Sequence, residues 1–135
     1  MIYETTAQFT KADKKGNGKT FKEQVIVDGL DTFTEVEARM YSEYNGQCDL
    51  DVIAIKRSRL KEIANKRENL DDRIFIADLC DTFIDDNDNE KETIYKIAFF
   101  SQSIDKAKNF IDQYIKQGYD MKLRGLKESK FVDVI

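Results

Sequence analysis

The sequence predicts an α+β fold made of two tandem β-β-α-β repeats, which form a mostly antiparallel sheet of about six strands with two helices packed on one face. One continuous sheet and two facing half-sheets are both compatible with the sequence. Three observations lead to this prediction. Residues 54–63 match residues 125–134 at a constant offset of 71 residues. A helical pattern precedes each matching segment, and a pair of strand-like segments joined by a turn precedes each helical pattern.

Each strand pair is predicted to be a β-hairpin. In the first half, residues 3–10 and 20–27 flank a turn at 14–19 that contains Asn17-Gly18, and an Asn-Gly pair is a strong hairpin signal. In the second half, residues 73–84 and 93–100 flank an acidic turn at 85–90. A calcium loop is not expected in this turn, because glycine and glutamate are absent from the positions that such a loop requires.

The helical patterns each carry one apolar stripe, which is typical of an amphipathic helix that packs on a sheet. The stripe positions of the first helix align with those of the second at the same offset of 71 residues. They are Phe33, Val36, Met40 and Tyr44 in the first helix, and Ile104, Ala107, Ile111 and Ile115 in the second.

Polar residues mark the expected helix ends. Thr32 or Thr34 is the predicted N-cap of the first helix, and Ser103 is the predicted N-cap of the second. Gly46 and Gly118 follow the two helices, where glycine adopts a left-handed conformation at little cost. These features predict a single domain over residues 1–135, with a first unit at 1–64, a linker at 65–71 and a second unit at 72–135.

Composition narrows the function classes. With 41% hydrophobic and 36% charged residues, the chain is expected to be soluble and folded. The net charge of −4 argues against a protein that binds duplex DNA without sequence preference, since such proteins usually present a basic surface. The chain contains no histidine, which removes the commonest general base and metal ligand, so neither an enzyme nor a metal site nor a cofactor is expected.

The predicted location is the cytoplasm of a bacterial host. The N-terminal residues show no signal-peptide pattern, and no apolar run is long enough for a membrane span. Cys48 and Cys80 have neither a metal-binding spacing nor a histidine to activate them, so we expect free thiols in a reducing compartment, with a disulfide as the alternative.

The matching segments supply the predicted ligand-binding residues. Lys56 and Ser58 of the first segment are identical to their counterparts in the second, and fixed cations beside a hydroxyl suit phosphate recognition. The alternative is that these residues form only the exposed face of a strand. The predicted set is Lys56, Arg57, Ser58, Arg59, Lys127, Ser129 and Lys130.

Two further patterns are weaker. Gly16 and Gly18 lie between lysines, but the spacing does not match a P-loop, and a strand rather than a helix is expected to follow. Aromatic residues on the predicted strands could stack on single-stranded bases, although most strand aromatics pack in a core. These aromatics are Phe21, Tyr95, Phe99 and Phe100.

The run at residues 27–39, Val-Asp-Gly-Leu-Asp-Thr-Phe-Thr-Glu-Val-Glu-Ala-Arg, resembles a "V-D-A-x-S-F-T-E-A-E-A-R" run in an uncharacterised family of small proteins from gut bacteria, their phages and mobile elements. The "D-R-[aromatic]-F" start of that family's second half is similar to Asp72-Arg73-Ile74-Phe75. This sequence departs from the family pattern in having no tryptophan. The resemblance carries over no functional residues.

The resemblance implies a non-catalytic binding protein of phage or mobile-element origin. It would sequester a nucleotide-type signal or inhibit a host defence component, with a small nucleotide or a host protein as its partner. The alternative is an accessory protein of replication or recombination that binds single-stranded nucleic acid, which the acidic net charge disfavours. We also expect a homo-oligomer, because exposed sheet edges pair readily, and no association with a membrane.

Overall fold

The computed structural model describes residues 1–12, 14–45, 49–117 and 121–135. The elements in chain order are β1 (Ile2–Ala12), β2 (Gly18–Asp28), α1 (Phe33–Glu43), β3 (Asp51–Arg57), β4 (Leu60–Ile63), β5 (Arg73–Ile84), β6 (Glu90–Ser101), α2 (Ile104–Ile115), β7 (Met121–Glu128) and β8 (Phe131–Val134). They form two compact units. Unit 1 consists of Met1–Ser58 and Phe131–Ile135, and unit 2 consists of Arg59–Lys130.

Unit 1 is a four-stranded sheet with one helix. The strand order is β3-β1-β2-β8, in which β1 pairs antiparallel with β2 and β3, whereas β8 runs parallel to β2. Alternate residues of β1, from Tyr3 to Phe9, are buried, which is the period-two pattern of a sheet with one face on a core. That face packs with Val36 and Met40 of α1.

Unit 2 is also a four-stranded sheet with one helix, and its strands have the same spatial arrangement. Its strand order is β4-β6-β5-β7, in which β5 pairs antiparallel with β6 and β7, whereas β4 runs parallel to β6. The core lies between the sheet and α2, where Phe75 and Phe99 stack with ring centroids 6.1 Å apart. Ala107 and Ile111 of α2 are fully buried in the same cluster.

The helices begin where the sequence indicates. The Thr32 hydroxyl accepts a hydrogen bond from the Glu35 backbone N–H at 3.2 Å, and the Ser103 hydroxyl accepts one from Lys106 N–H at 3.2 Å. Each of these bonds satisfies a backbone donor that has no partner within the first helical turn. The predicted helix-ending residues Gly46 and Gly118 lie outside the described residues.

The prediction of one sheet of about six strands with two helices on one face is wrong. Eight strands form two four-stranded sheets. The reason is that each strand predicted after a helix is two strands in the structure. The first strand of each pair ends just before Ser58 or Ser129. The short strand after each break joins a different sheet from the strand before it.

The unit boundaries therefore differ from the predicted ranges 1–64 and 72–135, because β4 belongs to unit 2 and β8 belongs to unit 1. Both units have the same spatial arrangement of strands, but the parallel strand comes last in the chain order of unit 1 and first in that of unit 2. A tandem duplication as their origin stays a prediction.

The segment predicted as a linker, 65–71, is an ordered part of unit 2. The Asn65 side chain donates to the carbonyl of Phe100 at 3.0 Å and accepts from its backbone N–H at 2.6 Å, so it extends the sheet beyond β4. The Asp72 carboxylate accepts hydrogen bonds from the backbone N–H groups of Glu68 and Asn69, each at 3.0 Å. These bonds hold the segment in one conformation.

The outer antiparallel strand of each sheet carries a β-bulge. The register between β1 and β3 shifts at Thr6/Ala7, and the register between β5 and β7 shifts at Asp78/Leu79. A bulge disrupts the regular row of backbone groups that a further strand would need, and it is one of the ways in which proteins protect sheet edges. Pairing of copies through these two sheet edges, on which the sequence-based expectation of a homo-oligomer rests, is therefore less favourable than at regular edges.

Candidate anion-binding site on the first hairpin

Three of the predicted ligand-binding residues, Lys56, Arg57 and Ser58, lie in unit 1. Lys56 and Arg57 end β3, and both are exposed. The Lys56 ammonium lies 3.9 Å from the Glu4 carboxylate on the neighbouring strand, with 73% of its side chain exposed. The Ser58 backbone N–H donates to the carbonyl of Ile2 at 2.9 Å, at the point where the chain leaves the sheet.

The other predicted residues lie in unit 2. Arg59 precedes β4, and Lys127 is exposed near the end of β7. The backbone N–H and the hydroxyl of Ser129 both donate to the carbonyl of Ile74, at 2.9 and 2.8 Å. Ser129, one of the two serines that match in the sequence, therefore makes a structural contact in unit 2. It satisfies the Ile74 carbonyl from the short segment between β7 and β8. Lys130 is exposed beside it.

A different group of cations surrounds a cavity at the end of the β1–β2 hairpin. The cavity has a volume of about 670 Å³, within the range of about 300–1,000 Å³ that is usual for small-molecule sites. Its lining combines lysines and aromatic rings with one carboxylate. The lining residues are Phe9, Lys11, Ala12, Lys14, Lys15, Lys19, Phe21 and Glu23.

The hairpin register places two lysines opposite each other. Lys11 pairs with Lys19, and Phe9 pairs with Phe21 two positions further along the same face. Like charges directly opposite on neighbouring strands are destabilising, by a few tenths of a kcal/mol to about 1 kcal/mol. An anion bound between the two ammonium groups would relieve this repulsion, so the pairing favours a negatively charged ligand.

The two phenylalanines form the apolar part of the cavity. Their rings stack with centroids 6.0 Å apart, and the Lys19 ammonium lies 5.6 Å from the centroid of the Phe21 ring. Phe9 is buried and also contacts Tyr44, with ring centroids 5.7 Å apart, whereas Phe21 is only partly buried. Phe21 is therefore the ring that a planar ligand could reach.

Among the described lining residues, the acidic one, Glu23, is engaged by the end of α1. The Tyr44 hydroxyl donates to the Glu23 carboxylate at 2.6 Å. Burial raises the pKa of Tyr44 well above its ordinary value, and the hydrogen bond to Glu23 and its negative charge raise it further. The tyrosine therefore stays protonated at neutral pH and remains a donor to Glu23.

A second carboxylate binds β1 near the hairpin end. Asp49 accepts a hydrogen bond from the backbone N–H of Thr10 at 3.2 Å. Hydrogen bonds with the side chain and then the backbone of Thr10 lower the pKa of Asp49. The backbone bond joins the segment before β3 to β1, at the residue between Phe9 and Lys11.

The sequence alone does not indicate this site, because the lysines and glycines of the turn do not have the spacing of a P-loop. The Asn17-Gly18 pair does not reveal the register either, since a two-residue turn there would pair residues 16 and 19. In the structure Ala12 pairs with Gly18, and residues 11 and 19 and residues 9 and 21 therefore face each other. Of the predicted stacking aromatics, Phe21 lines the cavity, whereas Phe99 is fully buried in the core of unit 2.

Unit 2 has a different cavity, of about 500 Å³, beside the end of α2. The Tyr114 hydroxyl donates to the Glu62 carboxylate there, and burial followed by this hydrogen bond raises the pKa of Tyr114. The Lys61 ammonium lies 4.2 Å from the ring centroid of Tyr95. Like the Tyr44 pair of unit 1, the Tyr114 pair joins the end of a helix to a strand. The described residues that line this cavity include no lysine or arginine.

Other chemistry is sparse in the described part of the chain. Cys80 is a buried free thiol, and Cys48 lies outside the described residues. Among residues 1–12, 14–45, 49–117 and 121–135, no three histidine, cysteine or acidic side chains are arranged to hold a metal ion. No helix among these residues is long and apolar enough to cross a membrane.

Comparison with known proteins places the chain in a family but gives no activity. No curated protein matches it. The model of one family, described as "Domain of unknown function (DUF4494)", matches residues 1–135, the whole chain. The α+β units with their basic hairpin are therefore this chain's version of an uncharacterised domain, and the protein belongs to the DUF4494 family.

Proposed function

We propose that this protein is a non-catalytic binding protein that sequesters a nucleotide-type anion in the cavity of the β1–β2 hairpin. The observation that carries the proposal is the direct cross-strand pairing of Lys11 with Lys19 beside the accessible ring of Phe21. Paired ammonium groups supply the charge for phosphate, and an aromatic face supplies a stacking surface for a base.

The charge distribution supports a small anion rather than a long polymer. The chain carries a net charge of −4, yet the described residues that line this cavity include four lysines and one carboxylate. A nucleotide needs only two or three fixed cations, whereas single-stranded nucleic acid needs a groove of positive charge that follows its backbone. The nucleic-acid function remains the alternative, because the same lysines and Phe21 would also suit one or two nucleotides of a strand.

Two earlier expectations stay predictions. Inhibition of a host defence component by direct contact with a host protein rests on the resemblance alone, and no observation on the described residues bears on it. The ligand-binding set around Lys56 and Lys127 also stays a prediction, and none of its members lines the hairpin cavity. The two candidate sites use different lysines, so one experiment separates them.

The test is a thermal-unfolding screen at moderate salt with linear and cyclic nucleotides, inorganic phosphate, and short single-stranded DNA and RNA. A ligand that binds only the native state at about 100 times its Kd stabilises the protein by about 2.7 kcal/mol, which for a unit of this size raises Tm by roughly 10 °C or more. We expect a rise with a nucleotide that is lost when Lys11 and Lys19 are both replaced by alanine.

Matched variants make the result specific. Lys22 lies on β2 next to Phe21 but on the opposite face, so Lys22→Ala removes one charge from the same hairpin without touching the cavity. Phe21→Leu removes the stacking surface and should weaken nucleotide binding by about 1–3 kcal/mol while leaving inorganic phosphate unaffected. The double variant Lys56→Ala with Lys127→Ala removes the same charge as the cavity variant.

The outcomes distinguish between the two candidate sites and between a nucleotide and a nucleic-acid ligand. If the nucleotide effect is lost in the Lys56 and Lys127 variant but kept in the Lys11 and Lys19 variant, the hairpin site is wrong and the site inferred from sequence is right. If only oligonucleotides raise Tm, and added salt removes the effect, the nucleic-acid function replaces the proposal. If no compound on the panel raises Tm, nucleotide sequestration is overturned.

A further inference from the structure

The two hairpins of this protein have the same architecture and opposite charge. The β1–β2 hairpin ends in lysines around its cavity. The β5–β6 hairpin joins two strands of twelve residues each, and its end is acidic. Its acidic residues are Asp85, Asp86, Asp88, Glu90 and Glu92.

The turn of the second hairpin has a fixed conformation that uses one of these carboxylates. Asp85 accepts hydrogen bonds from the backbone N–H groups of Asn87 and Asn89, each at 2.9 Å, and Asp88 adopts a positive φ of 61°. The Asp85 backbone N–H also donates to the carbonyl of Asn89 at 2.9 Å. The carboxylates of Asp86 and Asp88 therefore extend into solvent from an ordered turn.

Exposed apolar side chains accompany the acidic turn. Phe83 is 49% exposed and Ile84 is 71% exposed next to the turn, on opposite faces of the hairpin, and Ile94, 66% exposed, lies further from the tip, opposite Cys80. Acidic groups beside apolar ones complement a cavity formed by lysines and phenylalanines.

We infer that the acidic β5–β6 hairpin of one copy of this chain docks into the lysine cavity of the β1–β2 hairpin of a second copy. Asp86, Asp88 and Glu90 would meet Lys11, Lys14 and Lys19, and the contact would occupy the place of the nucleotide. This inference rests on the proposed function only in that last respect, because docking itself requires no nucleotide. It deepens the proposal by naming a regulator of the same cavity.

The contact is heterologous, since each copy uses two different surfaces. Such contacts propagate into rings or open chains unless the geometry closes. Interactions between solvent-exposed charges are screened by salt, so the association is expected at low ionic strength and should weaken several-fold or more near 0.5 M salt. A bound nucleotide should release the second copy, and association should reduce the apparent affinity for nucleotide.

Charge reversal provides the test, read by sedimentation velocity without nucleotide at low salt. The variant Lys11→Glu with Lys19→Glu loses the basic surface but keeps the acidic hairpin. The variant Asp86→Lys with Asp88→Lys loses the acidic surface but keeps the cavity. Each variant alone should be monomeric, and an equal mixture of the two should associate, because the native contact remains between them and the two reversed surfaces are also complementary.

The matched control is Lys56→Glu with Lys127→Glu, which changes the net charge by the same amount away from both hairpins and should associate like the wild type. Circular dichroism checks that each variant folds. Where a reversal does not fold, the neutral pair Lys11→Gln with Lys19→Gln replaces it and should also abolish association.

A wild type that stays monomeric at low salt, or a mixture that forms no pair, overturns the inference. Nucleotide binding is measured separately at a salt concentration at which the protein is monomeric. Failure of the docking contact and failure of the nucleotide site are thereby observed in different experiments.

Discussion

The contact between Ser129 and Ile74 decides how the matching serines of the sequence are to be understood. The Ser129 hydroxyl donates to the Ile74 carbonyl at 2.8 Å, in a partly buried position at the end of β7. If this hydrogen bond is the reason for a serine there, Ser129→Ala should reduce the stability of unit 2 and leave ligand binding unchanged.

The magnitude follows from the geometry. A typical intramolecular hydrogen bond contributes about 0.5–1.5 kcal/mol to stability, and an orphaned buried acceptor adds a penalty. Here the Ile74 carbonyl keeps the bond from the Ser129 backbone N–H at 2.9 Å, so no acceptor is orphaned. We expect a loss of about 1 kcal/mol, which corresponds to a fall in Tm of about 4–8 °C for a unit of 60–100 residues.

The assay is thermal and urea-induced unfolding followed by circular dichroism, together with nucleotide titration of the same samples. Lys127→Ala is the control, because an exposed lysine on the same strand should change stability by no more than about 0.5 kcal/mol. Ser129→Thr keeps a hydroxyl and should recover part of the loss. If Ser129→Ala keeps wild-type stability but loses ligand affinity, the structural interpretation is refuted and Ser129 belongs to a binding site.

Three further predictions concern stability. Ile111→Ala should cost about 2–5 kcal/mol because its side chain is fully buried in the core of unit 2, whereas Ile104→Ala, at a position 49% exposed on the same helix, should cost far less in urea unfolding. Thr32→Ala should cost about 0.5–2 kcal/mol through loss of the N-cap, and wild-type stability in that variant would contradict the capping role. Hydrogen bonds from the backbone N–H groups of Asn69 and Glu68 lower the pKa of Asp72. The contribution of Asp72 to the free energy of unfolding is therefore complete above the unfolded pKa of about 3.9, and it is lost as the pH falls through the lower folded pKa. Asp72→Asn should therefore be less stable than the wild type at neutral pH, and the difference should shrink in urea unfolding below about pH 3; a difference that does not depend on pH would contradict this origin.

Local features of the fold were accessible from the sequence because they depend on neighbouring residues. The caps at Thr32 and Ser103 need only a hydroxyl three residues before a free backbone N–H. The apolar stripes, such as Val36 with Met40, likewise follow from short-range geometry. The capped helices and the two hairpins are present in the structure, and the α+β class follows from them. The first hairpin turns before the Asn-Gly pair, however, since Gly18 already pairs with Ala12.

The candidate site shows the limit of such patterns. Lys11 and Lys19 are eight positions apart and match no motif, so they became a pair only when the hairpin register placed them opposite each other. Lys56 and Ser58 attracted attention because the sequence repeats them, yet the repeated Ser129 makes a structural hydrogen bond. Similarity within a sequence records a shared environment, which need not be a ligand.

By itself, the sequence determined the elements that form within a few residues of each other: two hairpins, two capped amphipathic helices, and a chain without histidine whose chemistry is limited accordingly. Only the tertiary structure decided that the strand after each helix breaks at a serine, and that β4 and β8 then join parallel to β6 and β2 in two separate sheets. The physical reason is that a four-residue strand has no preference for one partner in its own sequence. Its partner is chosen by the unpaired backbone groups and the apolar face of a strand more than thirty residues away in the chain.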